Sequence, residues 1–177
     1  MLIIVGLGNT GSQYENTPHN AGFVAIDAIA MQYGFPEFQE SSKYNSLISE
    51  GMINDTKALL AKPQTMMNNS GAAVASLVKQ LDDPSNQLVV IHDEVDLPLG
   101  TIRLSKDSGS AGHKGISSII SSIGSKGFNR IRIGVHPEEG KAEDTESYVL
   151  KKLSQEQQEL LKETIVSNLS LIESLGK

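Results

Sequence analysis

The chain has 177 residues, no cysteine and a formal net charge of −6. That length predicts a single domain spanning 1–177 with a core that needs no staples, and the lack of thiols excludes a disulfide framework, a thiolate nucleophile and cysteine-ligated zinc. Chemistry must therefore come from oxygen, amide and imidazole groups. The opening apolar run is too short for a secretory signal and no stretch approaches bilayer length, so a soluble, cytoplasmic protein without membrane attachment is expected.

In chain order, Leu2–Leu7 reads as a buried strand that runs into a glycine-rich loop. Residues 20–33 follow as a helix, with Ala21, Val24, Ala25, Ala28 and Ile29 at helical spacing and Gly34 as its stop. Strands at 44–52 and 56–62 are joined by Asn54-Asp55, which predicts a hairpin. A helix over 69–81 closes at Asp82-Asp83-Pro84, and strands at 87–92 and 100–105 lead through a glycine turn into a helix over 113–123. A strand at 129–135, an irregular polar loop at 137–145 and a long amphipathic helix over 154–175, capped by Ser154, complete the chain. This alternation predicts an α/β protein with one twisted, mixed, mostly parallel central β-sheet and helices on both faces.

Charge is unevenly placed. Residues 101–132 carry six cations (Arg103, Lys106, Lys114, Lys126, Arg130, Arg132) against the one anion Asp107, whereas 138–163 carry eight acids against four lysines. A Debye length of about 8 Å insulates one patch from another, so an acidic chain of this pattern still offers a basic face to a phosphate backbone. Scattered solvated charges are the competing reading.

Four segments concentrate groups able to do chemistry. Gly6-x-Gly8-x-x-Gly11 matches the dinucleotide-binding spacing, but the loop continues to Pro18 where that motif needs a helix, and no acidic residue closes a second strand. His19 stands between Pro18 and Asn20 at a helix start, where the positive helix end favours a neutral imidazole. A general base of this kind needs an orienting carboxylate. Asp93, in His92-Asp93-Glu94-Val95-Asp96, lies at a strand's carboxyl end as the first loop does. The same cluster could chelate a divalent metal, but alternation along an extended chain opposes this and no metal is expected. In Pro63–Gly71, one of Asn68 and Asn69 serves as a helix cap and the other offers a free amide, with Met67 as a pliable apolar wall; Ser70 lacks the setting of a nucleophile. Ser108–Gly115 reads as an anion-binding turn at a helix start.

Five blocks resemble, in order and over nearly the whole length, the bacterial-type peptidyl-tRNA hydrolase family: GLGN-x-G-x-x-Y-x-x-T-x-HNAG at 6–22, P-x-T-x-M-N-x-SG at 63–71, HDE-x-DLP-x-G at 92–100, GH-x-G at 112–115 and F-x-R-x-RIG at 128–134. The resemblance implies hydrolysis of the ester between a peptide and the 3′ ribose of tRNA, with no metal or organic cofactor and no obligate protein partner. It makes His19 the activator of water and Asp93 its orienting group, with Asn9 and Asn68 holding substrate. Tyr14 and Met67 line the site, and Asn20, His113, Lys114, Lys106 and Arg132 complete the expected substrate- and tRNA-contacting set. The chain departs from the family at Thr10, usually proline, at Pro18, usually arginine, and at Lys114, usually asparagine. A non-catalytic RNA-binding member of the same fold is the alternative, and a small-molecule esterase a third reading. A monomer is expected.

Overall fold

The run Leu2-Ile3-Ile4-Val5 is buried on both faces, as a central parallel strand requires, and forms β1 (Leu2–Gly6). The computed structural model of the protein describes residues 1–137, 140 and 143–175. After β1 the chain passes through a 3-10 turn at Pro18–Asn20 into α1 (Ala21–Tyr33), which Gly34 ends in the left-handed conformation. It continues through β2 (Gln39–Ser41), β3 (Ser46–Ile53) and β4 (Thr56–Pro63) to α2 (Ser70–Val78) and α3 (Pro84–Gln87). Then come β5 (Leu88–Pro98), β6 (Ile102–Ser105), α4 (Lys114–Ile123) and β7 (Asn129–His136). The described chain ends with α5 (Thr145–Tyr148), α6 (Gln155–Ser167) and α7 (Ser170–Leu175).

The seven strands form one sheet in the order β2-β3-β4-β1-β5-β7-β6. The α/β class, the mixed sheet and the hairpin at Asn54-Asp55 match expectation. Parallel pairing is confined to the centre, where β1 pairs with β4 and β5, and β5 with β7. Antiparallel partners (β2 with β3, β3 with β4, β6 with β7) flank them, so the two kinds of pairing share the sheet equally. The two-residue connection at 54–55 reverses the chain between β3 and β4, whereas β6 reaches its antiparallel partner β7 only after α4.

Alternation sorts the strands' side chains into two cores. Leu2, Ile4, Leu60, Val89 and Ile91 meet Ala25, Ile26 and Ile29 of α1 and Leu161 and Ile165 of α6. Ile3, Val5, Leu59 and Val90 meet Val74 and Leu77 of α2 and Ile116 and Ile119 of α4 on the other face. Helices thus cover both faces. None among the described residues is long and apolar enough to cross a membrane.

Several boundaries differ from the periodicity. The helix expected over 154–175 starts with the predicted cap, Ser154 and Gln157 forming a reciprocal capping box, but breaks at Asn168, whose side-chain amide donates to the Thr164 carbonyl and ends the first segment. The helix expected over 69–81 is shorter, and neither Asn68 nor Asn69 caps it through a side chain; Ser70 Oγ instead donates to the Met67 carbonyl. The strand expected at 87–92 continues to Pro98 because β7 pairs with it through Glu94 and again at Pro98. The loop expected at 137–145 lies in part outside the described residues.

Two glycines set the position of the first loop over the sheet. A Cβ on Gly22 would stand 2.4–2.5 Å from the backbone of Leu7 and Ile91, and one on Gly6 would stand 2.2 Å from the Gly22 carbonyl oxygen. The start of α1 thus lies directly on the crossing of β1 and β5, which the Leu7 N–H bond to the Ile91 carbonyl (2.9 Å) ties together. Gly22→Ala is expected to destabilise the fold by about 4 kcal/mol, because backbone cannot yield as a flexible side chain does. Thermal unfolding should show a midpoint lower by roughly 10 °C.

Candidate active site

Loops at the carboxyl ends of adjacent parallel strands meet in space, and β1 and β5 are adjacent, with Gly6 opposite Ile91. The loop after β1 carries Asn9 and His19, and β5 carries Asp93 two residues past Ile91. His19 Nδ1 lies 3.0 and 2.9 Å from the two Asp93 carboxylate oxygens. The His19 backbone is held from the opposite side, its N–H donating to the Val149 carbonyl at 3.0 Å.

A second imidazole shares the carboxylate. His113 caps α4, its Nδ1 accepting the Ile116 N–H at 3.3 Å, so its proton is on Nε2, which donates to Asp93 Oδ1 at 2.8 Å. Against an ionised carboxylate, His19 Nδ1 also donates, and its Nε2 keeps a lone pair. Burial alone raises the Asp93 carboxyl, but the charges and hydrogen bonds of the two imidazoles outweigh it and hold the group well below the usual carboxylate range. The donor atoms of His19, Asp93 and His113 gather within 4.8 Å, close enough to suggest a chelating set. In the arrangement present, both ring nitrogens facing Asp93 are occupied in donating protons to it.

His92, unread as a functional residue beyond its place in the acidic cluster, packs edge-on against His113 with ring centroids 4.7 Å apart and donates from Nδ1 to the Asp93 carbonyl at 2.7 Å. Burial, and then the neighbouring His113, push His92 down to about 3. Above pH 6.5 or so it is neutral whether folded or unfolded; below that the unfolded chain takes up a proton that the folded one refuses, so stability falls from about pH 6.5 toward 3. Urea midpoints measured from about pH 7.5 down to about 3, a range that spans this window, should decline in the wild type and decline less in His92→Gln.

Asparagine amides complete the inner wall. Asn9 Oδ1 accepts the Met67 N–H at 2.7 Å, which leaves its Nδ2 as a donor toward the cleft. Asn20 does not line the cleft. Its side chain spans the loop, accepting the Asn9 N–H at 2.8 Å and donating to the Asn9 carbonyl at 3.0 Å, so it positions Asn9. Asn68 is exposed and does line the cleft, as do Tyr14, buried Met67, His113 and Lys114. Gly115 makes room for Met67, whose sulfur would be 2.5 Å from a Cβ there. The cavity holds about 570 Å³ and is closed on its far side by Thr145, Glu146, Val149 and Leu150, residues that carried no signal in the sequence because only the return of the chain after β7 brings them here.

The expected basic face divides. Arg130 is buried and donates to the carbonyls of Ser108 and Gly109, tying down the glycine turn; its burial, then Arg132, lower its pKa. Arg132 lies outside the cleft and grips Glu94 through Nε and Nη2, both at 3.0 Å. Lys106 is on the surface, donating to Asn86 Oδ1 at 2.8 Å.

An α/β sheet with a histidine–aspartate pair in a cleft of amides at the strands' carboxyl ends defines a hydrolytic enzyme. The family model for peptidyl-tRNA hydrolase matches residues 3–177. The chain is 44% identical to the peptidyl-tRNA hydrolase of Mycoplasma mycoides subsp. mycoides over 97% of its own length and 91% of that protein, and 45% identical to that of Carboxydothermus hydrogenoformans over 93% and 86%. It superposes on the crystal structure of peptidyl-tRNA hydrolase from Acinetobacter baumannii with a TM-score of 0.89 at 34% identity, over 99% of this chain and 88% of that one. This chain belongs to the peptidyl-tRNA hydrolase family.

Proposed function

We propose that this chain, acting as one domain in the cytoplasm without an obligate protein partner or cofactor, hydrolyses the ester joining a peptide to the terminal ribose of tRNA. The observation that carries the reading is the His19–Asp93 hydrogen bond at 2.9 Å inside the amide-walled cleft. His19 Nε2 takes a proton from water as the water attacks the ester carbonyl; Asp93 keeps the ring in the tautomer that leaves Nε2 free and stabilises the imidazolium that forms. The proton then passes to the departing ribose oxygen. Asn9 Nδ2 donates to a carbonyl of the peptide main chain, and Asn68 holds the reacting end. Recognition through main-chain amides tolerates any peptide sequence. Met67 and Tyr14 supply apolar walls, and Arg132 and Lys106, outside the cleft, face tRNA phosphates.

The test is release of the acyl group from N-acetylated aminoacyl-tRNA by purified protein. Multiple turnovers are expected, with aminoacyl-tRNA bearing a free, charged amine cleaved far more slowly. Tight tRNA binding with no release would overturn the reading in favour of a non-catalytic RNA-binding role.

A further inference from the structure

We propose that Lys114 determines specificity by recognising the phosphate on the same ribose as the scissile ester, and that Glu146 is the internal counterion exchanged for that phosphate. The inference rests on the function proposed above. Among the described residues lining the cleft, Lys114 is the one lysine or arginine, while Asp93, Glu94, Asp96 and Glu146 are acids. A nucleic acid entering such a cleft needs a cation at its mouth. Asp93 already receives two imidazole N–H groups and Glu94 is gripped by Arg132, so their charges are met elsewhere.

Lys114 is the first residue of α4, where the positive end of the helix opposes a cation. Glu146, reached across the cleft from α5, offsets that cost with an ion pair of 3.0 Å. The two side chains are 57% and 76% exposed, so water screens the pair and it is readily exchanged. A phosphate, bearing a full charge and several acceptor oxygens, is the stronger partner. The His19 ring, which takes the proton from water, is only 11% exposed, so the general base lies in the interior of the cleft and the Lys114 ammonium in its solvent-facing part. An ammonium so exposed is open to a phosphate that enters from solvent.

The experiment uses two non-hydrolysable analogues, 3′-(N-acetylaminoacyl)amino-3′-deoxyadenosine with and without a 5′-phosphate, and measures their dissociation constants by calorimetry for the wild type, Lys114→Asn and Glu146→Gln. Wild type should prefer the phosphorylated analogue by about tenfold, as one charge-assisted contact allows. Lys114→Asn should bring the ratio close to one. Glu146→Gln should raise it by roughly threefold, because the cation loses its competitor. Equal or absent binding of both analogues by the wild type, a ratio unchanged in Lys114→Asn, or a ratio lowered in Glu146→Gln would each overturn the proposal. Release from N-acetylated aminoacyl-tRNA, followed in parallel, separates this failure from failure of the function itself: a wild type that turns over yet shows no phosphate preference refutes only the role of Lys114.

Discussion

Asp93→Asn is expected to lower kcat by about 10⁴-fold while the protein stays folded. The amide matches the carboxylate in shape but not in bonding. Asp93 Oδ1 accepts from His113 Nε2 at 2.8 Å, and the His19 Nδ1 proton is shared between both oxygens. With one oxygen committed to His113, the new NH₂ group faces His19 and turns its Nδ1 into an acceptor. The His19 proton then moves to Nε2, the position from which water would have been deprotonated. Single-turnover release from N-acetylated aminoacyl-tRNA measures the loss, and a decrease below tenfold would contradict the assigned tautomer. The same variant reports on stability. Because the native carboxyl is held low, its contribution is complete above the unfolded-state value of about 3.9 and disappears as pH falls below it. Urea midpoints of Asp93→Asn should therefore lack the steepest part of the wild-type decline in acid.

His19→Ala should reduce kcat by about 10²–10⁴-fold, the range typical of removing a positioned general base, with a much smaller change in KM. Binding is carried by the amides and apolar walls around His19, which the substitution leaves in place, so the deficit belongs to the chemical step. Asp93 keeps its bond from His113 and thus does not become an unpaired buried charge, although it loses one of its two imidazole donors. A modest loss of stability, on the order of 1–3 kcal/mol, accompanies the change. Thermal unfolding distinguishes the two contributions: a variant that unfolds well above the assay temperature and still turns over within tenfold of wild type would remove His19 from the reaction. Asn9→Ala would not make so clean a comparison, since Asn9 also accepts the Met67 N–H and its loss frees that segment.

The proximity of His19 and Asp93 was readable because Asp93 ends one strongly apolar run and His19 lies in the loop that follows another, and the carboxyl ends of adjacent parallel strands coincide in space. Asn9 and the choice of Asn68 over Asn69 came from the family resemblance, since local pattern left the two adjacent asparagines open. His113 was expected among the substrate contacts, but not as a second imidazole on Asp93, for that place depends on a ring set between a helix cap and a carboxylate 20 positions earlier in the chain. Asn20 resembles a site residue in sequence, yet it occupies both of its polar atoms in bracing Asn9. Arg130 was counted toward a basic face and is instead buried, because the glycine turn folds over its guanidinium and takes its N–H groups on the Ser108 and Gly109 carbonyls.

Local pattern alone settled the α/β class, the burial of β1, the placement of the first loop at a strand end and the absence of thiol chemistry, since each depends on residue type and short-range spacing. Tertiary structure alone decided which histidine nitrogen is free, which asparagine braces and which ones line the cleft, and that Lys114 is countered by Glu146. Those assignments are questions of angle and distance between segments far apart in the chain. Periodicity carries no information about them until the sheet order brings the segments together.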